Sequence, residues 1–501
     1  MDSIKKKSNE PSRLASNCAG AGRDPSMGKL VAFSATFLVA AIGVALGCSS
    51  TPTDPDAVTG PVTYYKDVAP ILQEHCQNCH VPGGIAPFAL TTYEGTKGYA
   101  GIMVGQTGSR LMPPWGAQET SDCTPRFGWQ HDPRLSKKQI NTLKAWSDQG
   151  VPAGNPNDAP PAIAPFAEGL SSKDIELAPK KPFAITDTSK DTFQCVVLDP
   201  GLTQETWVNG VAFIPGNKSI AHHAVIFLDP QRESLKKMGP DGSYPCFGDP
   251  GFQTAGLLGA WAPGSVARDY PVNVGMDLKP GTLIVAQMHY HPSVSDPSAN
   301  QRPDPFKLQL RYSKAPPEYN LVFALIGNLA NPVQAGTGLL MDPTDPNALS
   351  EFKIPAGSVG KTVTEQFVIP PSLMGNQIPH LSVYGIGVHM HWVGTQGTIR
   401  VKRALAYGED PKEECLVGVP HWDFNWQRAY AYNQPDLTKL PGLSPFDTVT
   451  LKCTYDNSLG NPKVVQALKE QGLSQPKDVS LGETTLDEMC LGVYELIFKR
   501  L

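Results

Sequence analysis

The chain has 501 residues, more than one ordinary hydrophobic core accommodates, so several domains are expected. Its 42 basic and 47 acidic residues leave a formal charge of −5, which offers no basic footprint for nucleic acid and removes that class of partner from the expectation. With 47 glycines and 48 prolines punctuating short runs rich in Val, Ile, Leu and Tyr, the composition reads as loop-rich β structure.

The first segment reads as an address. Lys5, Lys6, Lys7, Arg13, Arg23 and Lys29 precede an apolar stretch from Leu30 to Gly47, which ends at Ala45-Leu46-Gly47-Cys48-Ser49-Ser50. A basic flank, an apolar core and small residues before a cysteine resemble a bacterial lipoprotein signal over residues 1–48, with Cys48 as the lipidated residue. Ala45 departs from the leucine usual three residues before that cysteine, which keeps ordinary cleavage and a retained anchor as alternatives. The apolar run is at the lower limit for a membrane span. Each alternative places the remainder outside the cytoplasm, in the periplasm or at the cell surface, where disulfides persist. Residues 49–62 read as a linker.

Residues 63–155 read as a small all-α haem domain. Cys76-Gln77-Asn78-Cys79-His80 spells the attachment site for c-type haem, in which two thiols hold the porphyrin and the histidine ligates iron from one side. Asp67 is placed to cap a helix whose Val68, Ile71 and Leu72 share one face and lead into Cys76. A second helix starts at Ser136 with Gln139 completing a capping box, buries Ile140, Leu143 and Trp146, and stops at Gly150 before Pro152. Met103, Met112 and His131 are the candidates for the sixth iron ligand. Arg110-Leu111-Met112-Pro113-Pro114-Trp115 resembles class I-type cytochromes c, where a methionine before two prolines lies opposite the proximal histidine, which implies Met112. The competing reading of Met112 is a packing methionine. His75 is expected at the surface. Residues 156–182 form a Pro-rich linker, so the haem domain is expected to be a separable module.

Beyond the linker the histidines come in pairs: His222 with His223, His289 with His291, and His389 with His391. His389 and His391 lie in a β-type run from Val383 to Trp392, where alternate side chains share a face. Met489 begins a second β run, Leu491 to Phe498, from which it can deliver sulfur to a site of two nitrogens and one thioether. Imidazole with a soft thioether suits copper that cycles through Cu(I). His222 and His223 are adjacent and would point to opposite faces of an ideal strand, so their spacing alone does not make a site; His289 is the natural third nitrogen donor.

Ala221-His222-His223-Ala224-Val225-Ile226-Phe227, Gln287-Met288-His289-Tyr290-His291, Val388-His389-Met390-His391-Trp392 and Asp487-Glu488-Met489-Cys490 follow in the order seen in copper type II, ascorbate-dependent monooxygenases. Over about residues 180–500 the chain resembles that family, which includes dopamine β-monooxygenase and peptidylglycine α-hydroxylating monooxygenase. The resemblance implies two all-β jelly-roll sandwich domains, 183–313 and 314–501, after the cytochrome c-like domain. It implies two copper ions: an electron-donating one on His222, His223 and His289, and an oxygen-binding, catalytic one on His389, His391 and Met489. His291 matches no ligand and is expected to support one.

With Cys18 in the leader, Cys48 lipidated and Cys76 and Cys79 on haem, six cysteines remain, with many connectivities open. The family pattern implies Cys195 with Cys246 and Cys453 with Cys490. Cys123 and Cys415 are left over, and a bond between them would cross-link the haem module to the copper core.

The activity implied is hydroxylation of a C–H bond by O2, with electrons from ascorbate or another one-electron donor and the haem as a refilling route. Gly387 and Val493 stand where the peptide-amidating branch carries a carboxylate-gripping arginine and a tyrosine, so a peptidylglycine substrate is not expected. Leu491, Val493 and Trp392 suggest an apolar lining and a small or lipophilic substrate. The alternatives are an exported electron-transfer or copper-handling protein without hydroxylase activity, and a β-sandwich binding module that holds no copper.

Overall fold

In a computed structural model the described residues are 55–82, 84, 86–162, 169–263, 265–293, 296–328, 352–373, 376–482 and 487–500. The leader and Cys48 lie outside them. Among the described residues no helix is long and apolar enough to cross a membrane. The chain is mostly β, in several sheets, with a few short helices, the longest being Lys137–Asp148.

The helical part is built around Val68, Leu72, Met103, Leu143 and Trp146. Its first helical segment starts at Tyr64 and continues as Ala69–His75, so Cys76 and the haem motif begin at a helix end, as the sequence indicated. Asp67 acts differently from expectation: it lies inside the first turn, and its carboxylate reaches back 2.7 Å to accept the Thr63 N–H. The Ser136 capping box is formed, with Gln139 Oε1 accepting the Ser136 N–H at 2.8 Å and Ser136 Oγ accepting the Gln139 N–H at 3.2 Å. That helix ends where Gly150 adopts φ +79°.

The separable module is not what the chain forms: Pro55–Leu501 is one compact unit. Between the helices, the stretch around Trp115–Gln130 leaves the helical core and packs on the β structure, burying Trp115, Ala117 and Trp129 there. Trp129 bridges to Tyr432 and stacks on its ring at 4.8 Å, the Gln118 N–H donates to Gly418 O, and Cys123 is bonded to Cys415. Burying two indoles is reason enough for this path, since aromatic side chains carry the largest apolar area per residue.

The β structure holds three large sheets. A five-stranded antiparallel sheet runs in the order Ser243–Pro245, Thr192–Leu198, Leu283–Tyr290, Ala221–Asp229, Leu257–Trp261. A four-stranded sheet contains Val359–Val368, Thr448–Asp456, Gly394–Lys402 and Glu413–Val419. A ten-stranded sheet joins the two halves through Tyr319–Asn328, which pairs in parallel with Val274–Leu278 and antiparallel with Cys490–Lys499. One apolar core extends through all three sheets, from Val196 and Leu228 to Val388, Leu451 and Leu496. Cys195–Cys246 and Cys453–Cys490 are both bonded; the latter ties the strand after Met489 to the four-stranded sheet.

Candidate metal centres

The obstacle to a His222–His223 site is removed by a bulge. Strand Ala221–Asp229 pairs with Leu283–Tyr290 as Ala221↔Tyr290 and then His223↔His289, a register shift centred on His222. The extra residue bends the strand, so that neighbouring side chains turn to one side. His222 Nδ1 lies 3.2 Å from His223 Nδ1, and His289 Nδ1 lies 3.4 Å from His223 Nδ1. Imidazole nitrogens bonded at about 2 Å to one first-row ion in tetrahedral or trigonal geometry stand about 3.3–3.5 Å apart. These three histidines form a group able to hold a metal ion. Burial lowers His222 to about 3, with the neighbouring His289 adding to it, and pushes His223 well below the ordinary value, so both are neutral donors near pH 7.

Asp191 supports the group, and nothing in its sequence context announces it. Its Oδ2 lies 2.9 Å from His289 Nε2 and its Oδ1 2.7 Å from His291 Nδ1. Burial works to raise this carboxyl, but the two histidines outweigh it and hold it far below the usual range. His291 thus supports the site through Asp191. Phe193 stacks on the His289 ring at 4.2 Å and fixes its plane.

The second set rests on strand register. Strand Leu381–His389 pairs with Cys490–Lys499 through Val388↔Gly492 and His389↔Leu491. Met489 immediately precedes the partner strand Cys490–Lys499, at the end where His389 closes its own strand. His389 is the last residue of its strand, whereas His391 follows in the turn before Gly394, so the pair is not carried by one continuous strand. Each ring is held by Nδ1: His389 against Gln427 Oε1 at 2.7 Å, His391 against Asp487 O at 3.0 Å. That leaves the Nε2 atoms as donors. Burial lowers His389 to about 4, against the Gln427 contact, so it too is neutral.

Glu488 is the second group missed from sequence. Fully buried, its Oε2 accepts the His391 and Met489 N–H groups at 2.5 and 2.9 Å, and its Oε1 accepts those of Val393 and Gly394 at 3.2 and 3.1 Å. Burial works to raise it, and the four N–H groups, which stabilise the ionised form, oppose this. The carboxylate therefore clamps the His391 turn to the Met489 segment. The Tyr455 hydroxyl donates to Met489 O at 2.8 Å, and the disulfide at Cys490 fixes the next residue.

Both sets face one cavity of about 1650 Å³, lined by His223 and His289 from the first and by His389, His391 and Met489 from the second. Phe424 stands between them, its ring centroid 5.0 Å from that of His222 and 5.8 Å from that of His391. Leu491 and Val493 line the cavity as expected. Trp392 does not; it is buried with Phe424 and Ala467. Gly387 has no room for a side chain, since a Cβ there would meet Arg428 O at 2.6 Å.

In the haem motif neither Cys76 nor Cys79 takes part in a disulfide. Burial pushes Cys76 up to about 12 and raises Cys79. His80 Nδ1 lies 3.0 Å from Phe88 O, which assigns its proton to that side and leaves Nε2 as the metal-facing lone pair. These residues fit a covalently bound haem. Met103 is buried in the helical core, whereas Met112 is 37% exposed and so outside it. His75 is not a surface residue: Nδ1 lies 3.0 Å from Pro133 O and Nε2 2.9 Å from Gln139 Nε2, which ties the haem-motif helix to the capped one.

No family model matches the chain, and no curated protein matches it. Among solved structures it is similar to a structure of infectious bursal disease virus Gt strain, with TM-score 0.15 and 10% identity over 67% of this chain and 82% of that one. The VP2 subviral particle of infectious bursal disease virus gives TM-score 0.10 and 10% identity, over 68% and 83%. Likenesses at that level carry no argument.

Proposed function

We propose that the protein is an exported copper-dependent monooxygenase that hydroxylates a C–H bond of a small or lipophilic organic substrate with O2. The observation that supports this most is the pairing of two unlike donor sets on one cavity, three convergent imidazoles on one side and two imidazoles with a thioether residue on the other. A copper carrier has no need of two different sites on one chamber of substrate size. In this reading residues 183–313 and 314–501 are two jelly-roll-type sandwiches, and residues 63–155 are a cytochrome c-like domain threaded into them.

Copper, when bound, supplies one-electron redox chemistry, and sulfur at only one site biases that site toward the reduced ion. His222, His223 and His289 would hold one ion, with Asp191 and Phe193 fixing the last ring. His389, His391 and Met489 would hold the other, with Glu488 keeping the thioether and the His391 turn in register. The apolar wall, including Leu491 and Val493, excludes water from the reacting bond. Cys76, Cys79 and His80, together with Met112, would hold a haem c, which would offer a one-electron route beside or in place of ascorbate.

The test is oxygen consumption by the copper-loaded, haem-loaded full chain with ascorbate, together with detection of products that gain one oxygen atom. Wild type turns over; Met489→Ala retains the first copper and loses turnover. Copper binding without oxygen consumption across a broad substrate screen favours the electron-transfer or copper-handling reading, and absence of copper rejects both.

A further inference from the structure

The cavity wall contains two arginines, and among the described residues only one has an ion-pair partner. Arg268 pairs with Glu495 at 3.0 Å and donates to Ala429 O at 2.5 Å. Arg428 also lines the cavity, yet its Nε is buried with no hydrogen-bond partner. Its guanidinium lies 5.5 Å from the centroid of the Trp115 ring. The titratable groups that act on it are Tyr430, Cys79 and Arg268, with no carboxylate among them. Two guanidiniums against one carboxylate leave one positive charge in a largely apolar chamber, an arrangement that is costly unless an anion completes it.

Neighbouring orphans have the same polarity. Gln427 Nε2 and Trp115 Nε1 are buried donors without acceptors, and both residues line the cavity. Of the other orphans on the cavity wall, His289 Nε2 faces Asp191 at 2.9 Å, and the Tyr270 hydroxyl and Glu495 Oε2 belong to side chains that act on each other. Gln427 is already aimed, since its Oε1 is held at 2.7 Å by His389. The Arg428 carbonyl closes over Gly387, which places this residue beside the strand that carries His389. Three donors, one of them a planar cation that pairs bidentately with carboxylate, await an acceptor.

We propose that Arg428, with Trp115 and Gln427, is a carboxylate-binding subsite of the cavity. The proposal rests on the reading of this cavity as the substrate chamber and names its substrate class, a lipophilic monocarboxylate. Two sources share this chemistry, a free organic acid and a propionate of a haem held at Cys76 and Cys79, and the experiment separates them.

Calorimetric titration of the haem-loaded full chain with octanoate and with 1-octanol, without copper, separates the cases. Octanoate binding at least about tenfold tighter than octanol in wild type, with the preference lost in R428Q and largely kept in R428K, assigns the subsite to a free acid. No preference in the haem-loaded chain, a preference in C76A/C79A, and a shifted haem midpoint potential in R428Q assign it to a propionate. Equal binding of both probes in wild type and in C76A/C79A, with an unchanged potential in R428Q, overturns the proposal. W115F, which removes only the indole N–H among these donors, serves if R428Q fails to fold. Because the probes bind without copper, failure of the monooxygenase reading leaves this result standing.

Discussion

Glu488→Gln tests how the Met489 site is held. The Glu488 carboxylate accepts four backbone N–H groups, two on each oxygen. An amide keeps one acceptor oxygen and presents an NH2 group in place of the other, so two buried N–H groups lose their acceptor in either orientation. Each such loss costs about 1–3 kcal/mol, giving about 2–6 kcal/mol at this turn. That is a sizeable part of the roughly 5–15 kcal/mol that holds a domain together, and it falls between His391 and Met489. Expressed as affinity, it is a weakening of about 30-fold to 20,000-fold for a metal ion that needs both residues. Titration with copper against a competing chelator should therefore take wild type to two ions and Glu488→Gln to one. The His222 group, which has no contact with Glu488, should keep its affinity. Two ions bound with wild-type affinity by a folded Glu488→Gln would refute the clamp.

Other expectations follow from the same contacts. Asp191→Asn should weaken copper at the His222–His223–His289 group about 10- to 100-fold while leaving the Met489 site unchanged, checked by the same titration. Because His222, His223 and His389 are held neutral at pH 7, copper should displace no proton from them, so titration heats in buffers of different ionisation enthalpy should coincide; release of a proton or more per ion contradicts this. Proteolytic nicking between residues 151 and 182 should yield two fragments that run together without reductant and separate with it, because Cys123 is bonded to Cys415. Cys76→Ala/Cys79→Ala should lose the haem that survives denaturation in wild type, read as haem stain on a denaturing gel.

The parts legible in the sequence were those whose chemistry is local. The CQNCH run, the Ser136–Gln139 capping box and the β runs around His289, His389 and Met489 each carry their signal within a few residues, and the helix, the cap and the strands are present where they were read, except that the strand of His389 stops there and leaves His391 and Trp392 in the turn beyond it. The bulge at His222 was illegible because it is a property of pairing with the Leu283–Tyr290 strand, and adjacency on an ideal strand argued against it. Asp191 lies about thirty residues from His222 and Glu488 reads as one more acidic residue before Met489; each acquires a role only when distant backbone or imidazole groups close around it. Arg428 is likewise silent in sequence, since only the fold shows that among the described residues no carboxylate pairs with it. The path of Trp115–Gln130 misled the domain reading because both flanks are helical, while its indoles and Cys123 belong to the β core.

The central claim is two unlike metal centres on one cavity, with sulfur at only one of them. X-ray absorption at the copper edge of the reduced, copper-loaded full chain tests it most directly, with wild type compared to Met489→Ala. The account predicts two copper ions per chain, imidazole nitrogen at both, and sulfur scattering equivalent to one thioether shared over the two ions, gone in Met489→Ala. A single ion per chain, or sulfur scattering that persists without Met489, would contradict it.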